Sequence, residues 1–195
     1  YRLREFSSYL QQLMMESLGK SISSTGESIE IETGMAVWGA SGTDAQHSFF
    51  QALHQGTEIM PIDLIGFAQL SDKTNDELFA NLIAQAQTLA FGQDLAEDAD
   101  SVTEYELLPG NRPSTVILAP ELSPNILGQL IALYEHRTVA TGVVWGINPF
   151  DQWGVEHGKK AALKIVDELK NSEVSSNHDS STTSLIARYK HWRND

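Results

Sequence analysis

The sequence predicts an α/β fold: a largely parallel sheet flanked by helices, resembling a single large domain, with a C-terminal helical tail. Two observations carry that expectation. Short β-prone runs at 35–39, 59–67, 116–119 and 139–147 alternate with segments whose apolar residues recur every three or four positions. Such alternation is the pattern of strands joined by crossover helices, which cover both faces of a parallel sheet. Finally, 195 residues with 41% hydrophobic, 8% aromatic and 20% charged side chains supply enough apolar material for one buried core.

From Arg2 to Met15, the apolar residues Leu3, Phe6, Leu10, Leu13 and Met14 have helical spacing, and Gly19 ends the helix just beyond Glu16. The chain begins inside this helix, as expected of part of a longer polypeptide. Ser23-Ser24-Thr25-Gly26-Glu27 lies between short β-prone pieces and predicts a hairpin-like excursion over 22–33. A buried strand at 35–39 then enters the small-residue turn Ala40-Ser41-Gly42-Thr43-Asp44 and a helix over 45–54, with His47 and Phe50 on one side.

Residues 59–67 form the next strand, with Pro61 suited to its start or to an edge. Leu78, Leu82, Ile83, Ala86, Leu89 and Ala90 define a helix over 75–91 that stops at Gly92, and 94–100 is a solvated acidic connection. A strand at 116–119, a helix over 124–136, a strand at 139–147 and a helix over 149–169 complete the series. Residues 171–184 are polar, and 185–192 form a closing helix. The organisation expected is one α/β domain over 1–170, then a linker and tail over 171–195.

The formal charge of −13 argues against a nucleic-acid backbone or an anionic membrane as partner. With no cysteine, disulfides and thiolate chemistry are excluded, and only His, Asp and Glu remain as metal ligands. The six histidines show no compact ligand spacing: His47 and His54 are seven residues apart, about 10 Å along a helix. No metal is expected. The sequence has no apolar run of eighteen residues and no leader-like segment.

Three groups of residues can carry chemistry. Glu16, flanked by Met14, Met15 and Leu18, is a carboxylate whose partial withdrawal from water would make it a better proton acceptor near neutrality. Its place at a helix C-terminus is unusual, because the helix dipole gives an anion no help there. Gly42-Thr43-Asp44-Ala45-Gln46-His47 combines a close-approach glycine, capping side chains and a histidine able to act as acid or base. The segment 150–159 holds Gln152 and Lys159 on one helical side, after the strand expected at 139–147. Each group also has an ordinary reading as solvated surface or a helix start.

Taken in order, these segments resemble the phosphoglucose isomerase family. The resemblance rests on Tyr9-Leu10-Gln11-Gln12 with Met15-Glu16-Ser17-Leu18-Gly19-Lys20, and on Val37-Trp38-Gly39 followed by Gly42 to Gln51 and His54-Gln55-Gly56. Gly110-Asn111-Arg112-Pro113-Ser114, Ala132-Leu133-Tyr134-Glu135-His136, Phe150 to Lys159, His178-Asp179-Ser180-Ser181-Thr182 and Arg188-Tyr189-Lys190 extend it over nearly the whole chain. It implies the larger sugar-isomerase domain and an aldose–ketose isomerase that interconverts glucose 6-phosphate and fructose 6-phosphate through an enediol or enediolate.

On the same resemblance Glu16 is the base between C2 and C1, and His47 and Lys159 serve ring opening and closing. Gln12, Gln152, Gly42 and Thr43 contact substrate. The resemblance further implies no cofactor, a cytoplasmic location and a homodimer in which the counterpart of His47 enters a neighbouring active site. Family members are more than twice this length, and the upstream region supplies most phosphate contacts, so the segment alone is not expected to turn over. A noncatalytic phosphosugar-binding or dimerisation module is the alternative. Leu18 stands where the family has asparagine, and Asp44-Ala45 where it has Asn-Gly, which raises the question of local polarity around Glu16 and of turn geometry.

Overall fold

The computed structural model describes residues 2–69, 75–92, 103–171 and 178–194. They belong to two compact units, Tyr1–Pro149 and Phe150–Asp195. The acidic stretch 94–100 and residues 172–177 of the polar segment lie outside the described residues.

The first unit is built on two parallel strands, β1 (Ile62–Gln69) and β2 (Ser114–Glu121), paired in register from Ile62↔Ser114 to Gln69↔Glu121. Alternate side chains of β1 leave on opposite faces, and each face has its own core. Ile65 and Phe67, with Ile117, pack on a cluster of Phe6, Leu10, Met14, Leu18, Leu130, Tyr134 and Ile147. Ile62 and Leu64 pack on Ala45, Phe50, Leu53 and Leu89. Gly66 sits on that second face, where a Cβ would lie 2.9 Å from Leu82. The sheet is therefore sandwiched between helices, as a parallel sheet requires.

Phe6, Leu10 and Met14 of the first cluster have helical spacing legible in sequence, and Leu18 extends their stripe in the structure. Phe6, Leu10, Met14 and Leu18 recur every fourth residue across α1 (Phe6–Gln11) and the π-helical turn Gln12–Glu16, and all four are buried. Burial of each contributes about 1.5–3 kcal/mol. The 22–33 excursion closes through the antiparallel bridge Ile22↔Ser28.

Two short helices, α2 (Gly42–Gln46) and α3 (Phe50–Gln55), replace the single helix expected over 45–54. The Ala45 carbonyl accepts from both Ser48 and Phe49 N–H at 3.1 Å, which tightens the chain into a turn between them. His47 consequently shares no helix with Phe50 or His54. No strand forms at 35–39: Trp38 is exposed and stacks on Phe49 at 5.1 Å instead of joining a ladder.

Helix α4 (Asn75–Phe91) agrees with its periodicity. At its end Gly92 and Gly110, both with positive φ, approach so closely that a Cβ on Gly110 would lie 2.5 Å from the Gly92 nitrogen. This lets Asn111 and Arg112 N–H reach the Ala90 and Leu89 carbonyls at 2.9 Å. Buried Arg112 then donates to the Gly56 and Glu58 carbonyls, so Gly110-Asn111-Arg112-Pro113 ties α3, α4 and the start of β2 together.

The largest correction concerns 139–147. These residues continue α5 (Pro124–Trp145) to its left-handed cap at Gly146. Ser123 caps the start, Pro124 occupies the first turn, no further Pro interrupts the helix, and Gly128 and Gly142 are carried inside it. Once nucleated, a helix gains one hydrogen bond per added residue, which outweighs a β-branched penalty below about 0.7 kcal/mol. Leu130, Tyr134, Thr138 and Gly142 form one buried stripe, while Val143 and Val144 face solvent.

In the second unit α6 (Trp153–Lys170) and α7 (Ser180–Asn194) pack together. His178 Nε2 lies 2.9 Å from Glu168 Oε1, and the Asp179 carboxylate accepts from the Ser181 and Thr182 N–H groups at the start of α7. The segment 150–159 therefore follows a helix rather than a strand.

Candidate active site

The first element that matters for chemistry is the π turn Gln12–Glu16. The buried Phe6–Leu18 stripe holds one side of this turn against α5, leaving Gln12 exposed and Glu16 half-buried on other sides of the segment. Within a π turn the hydrogen bonds run from residue i to i+5, and such turns concentrate at functional sites. Gln12 and Glu16 thus sit about one turn apart on a single rigid piece of backbone. Leu18, where the family has asparagine, has no exposed surface and belongs to the core, so it does not line the surroundings of the carboxylate.

Just beyond, Lys20 turns back, and its ammonium donates to the carbonyl oxygens of Glu16 at 2.7 Å and Ser17 at 2.9 Å. The sequence reading passed over this lysine. A cation two residues after the last helical turn was the available signal, since Lys side chains satisfy carbonyls there.

The second element is α2. Ser41 precedes it in extended conformation, and Asp44 occupies its first turn, where the helix dipole favours an anion. Gly42 and Thr43 are exposed at its start. Ala45 is 3% exposed and belongs to the second core, so the departure from the family's glycine adds a packed methyl. His47 caps the helix with φ −90° and ψ 5°, in the sparsely populated bridge region often occupied by active-site residues. Its side chain is exposed.

The third element lies in the second unit. Gln152 precedes the first residue of α6 and Lys159 follows it by seven positions, both exposed. The first unit thus carries Gln12, Glu16, Gly42, Thr43 and His47, and the second carries Gln152 and Lys159. Among the described residues no group of three or more His, Asp or Glu is placed to hold a metal ion, and no helix is long and apolar enough to cross a membrane.

Away from these elements, Asp63 Oδ2 accepts from Tyr134 Oη at 2.9 Å and Arg137 Nη1 at 2.7 Å. Burial, then the hydrogen bond and negative charge of Asp63, push the Tyr134 phenol well above its ordinary range. A cleft of about 310 Å³ opens beside this cluster, lined by Pro61, Asp63, Pro113, Ser114 and Arg137. It sits at the N-terminal end of both strands. Ligands of open parallel sheets bind at the opposite, carboxyl end, so this cluster reads as scaffold.

The family model described as phosphoglucose isomerase matches residues 1–186. The chain belongs to the phosphoglucose isomerase family. It is 48% identical to glucose-6-phosphate isomerase 3 of Rhodococcus jostii over 205 residues, which cover 98% of this chain and 37% of the relative. It is 49% identical to the Roseiflexus castenholzii glucose-6-phosphate isomerase over 201 residues, with the same shares. A crystal structure of a glucose-6-phosphate isomerase from Chlamydia trachomatis superposes with a TM-score of 0.81 at 40% identity, covering 97% of this chain and 36% of that one. The chain therefore spans little more than a third of the length of the relatives it matches.

Proposed function

We propose that this chain is the C-terminal part of an aldose–ketose isomerase interconverting glucose 6-phosphate and fructose 6-phosphate. Residues 1–170 belong to its larger sugar-isomerase domain, and 171–195 form a linker and tail. The observation that carries the reading is the π turn that presents Gln12 beside Glu16, within a family match running through residue 186.

In this mechanism Glu16 removes the proton from C2 of the opened aldose and returns it to C1 of the enediol or enediolate. One carboxylate serves both carbons because they are adjacent. His47 and Lys159 handle ring opening, with proton delivery to the ring oxygen, and Gln12, Gln152, Gly42 and Thr43 orient substrate. Aldose and ketose share one oxidation level, so the chemistry calls for no redox cofactor. The complete enzyme is proposed to be a cytoplasmic homodimer in which His47 serves the neighbouring subunit's site.

Because the chain spans about 37% of its relatives, a second reading is a noncatalytic phosphosugar-binding or dimerisation module. The two separate in a coupled isomerase assay run beside isothermal titration with fructose 6-phosphate, on this chain alone and on the complete polypeptide. Turnover by the complete polypeptide and none by the segment is the expected result. Glu16→Gln in the complete polypeptide should abolish solvent-hydrogen exchange at C1 and C2, and unchanged exchange would remove Glu16 as the base.

A further inference from the structure

We infer that Lys20 is a positioning residue that holds the Glu16 turn in place and offsets the field at its C-terminal end; this rests on the role proposed for Glu16. An α- or π-helical segment ends in carbonyl groups without intrahelical partners, and their oxygens form the negative pole of the helix dipole. Glu16 lies in the last turn of a helical stretch that runs on to Leu18. The dipole at this end disfavours an anion.

The Lys20 ammonium meets both problems with one group. Its hydrogen bonds to the Glu16 and Ser17 carbonyl oxygens, at 2.7 and 2.9 Å, satisfy two acceptors and bring a positive charge to the negative pole. The return path of the chain is built for this contact. Gly19 N–H donates to Met15 O at 3.1 Å, and any Cβ at position 19 would lie 2.8 Å from that same oxygen. Beyond it, the Thr33 hydroxyl donates to the Lys20 carbonyl and fixes the backbone from which the side chain reaches back. The buried stripe of Met14 and Leu18 anchors the opposite side of the turn. Glu16 is thus bracketed by core packing on one side and a charged cap on the other.

The test compares Lys20→Met, Lys20→Gln and Lys20→Arg with Glu16→Gln in the complete isomerase polypeptide, reading kcat and KM separately. A displaced base costs turnover while substrate affinity stays, so Lys20→Met should lower kcat about 10- to 100-fold with KM changed less than about twofold. Arginine can donate to both carbonyls and should keep kcat within about threefold. If Lys20→Met does not fold, Lys20→Gln against Lys20→Arg carries the comparison, with at least about a tenfold gap in kcat expected. An unchanged kcat in folded Lys20→Met or Lys20→Gln, with Glu16→Gln inactive, overturns the positioning role alone. Equal losses in the arginine and uncharged variants overturn it as well. An active Glu16→Gln removes the base assignment and this inference together.

Discussion

Replacing Gly19 by alanine sets a methyl 2.8 Å from the Met15 carbonyl oxygen, which is backbone and has little freedom to move. A cost of about 1–3 kcal/mol is expected, read as a lower urea midpoint. Leu18 makes a complementary case. It has no exposed surface, so Leu18→Asn buries an amide in an apolar cluster and should destabilise the chain by about 2–5 kcal/mol, measured by denaturant unfolding. Sequence reasoning singled out position 18 as a departure from the family yet tied it to the polarity around Glu16. Only packing reveals that it faces inward, since helical phase across a π turn differs from that of a regular α-helix. Lys20 was passed over although its contacts with the Glu16 and Ser17 carbonyls are local and a cation just past a helix end signals them.

Among elements, α5 carries the most consequence. Tyr134 is 2% exposed and its hydroxyl donates to Asp63, linking the helix to β1. Tyr134→Phe removes a hydrogen bond to a charged acceptor and should cost about 1.5–3 kcal/mol. The phenol pKa is raised in the folded state, so the folded chain resists ionisation that the unfolded chain undergoes. Its contribution is complete below the unfolded value of about 10 and is lost as pH rises from there toward the folded value. Denaturation of wild type and Tyr134→Phe should accordingly show a constant gap up to about pH 10 that narrows at higher pH. In the second unit, Asp179 has the opposite sign. Hydrogen bonds from Thr182 and Ser181 lower its pKa, so its capping of α7 is present above the ordinary carboxylate range and lost as acid protonates it. The protection factor of the Thr182 amide, its exchange relative to the intrinsic rate at the same pH, should fall in Asp179→Ala and in acid. The elements near 75–91, 116–119 and 185–192 were legible because strong periodicity or a β-branched run coincided with real breakers. The false strand at 139–147 came from reading Val143 and Val144 locally, whereas the helix had no stop before Gly146.

On the scale of the molecule, the described chain leaves apolar surface open. Val116 and Leu118 on β2 are 47% and 54% exposed, and each strand of the two-stranded sheet has one unpaired edge. Such surface favours association. Exposure of this kind agrees with a segment spanning about 37% of its relatives. Co-expression with the remainder of the polypeptide should convert it from an aggregating to a monodisperse species in size-exclusion chromatography. By itself the sequence determined the α/β class, the helical spacing of Phe6, Leu10 and Met14, most helices and the family, because these depend on local period and on motif order. Tertiary structure alone decided that the expected strand at 35–39 stays unpaired and that Leu18 and Ala45 are core. Those outcomes depend on which distant groups supply a hydrogen-bond partner or a packing surface, and no window along the chain contains that information.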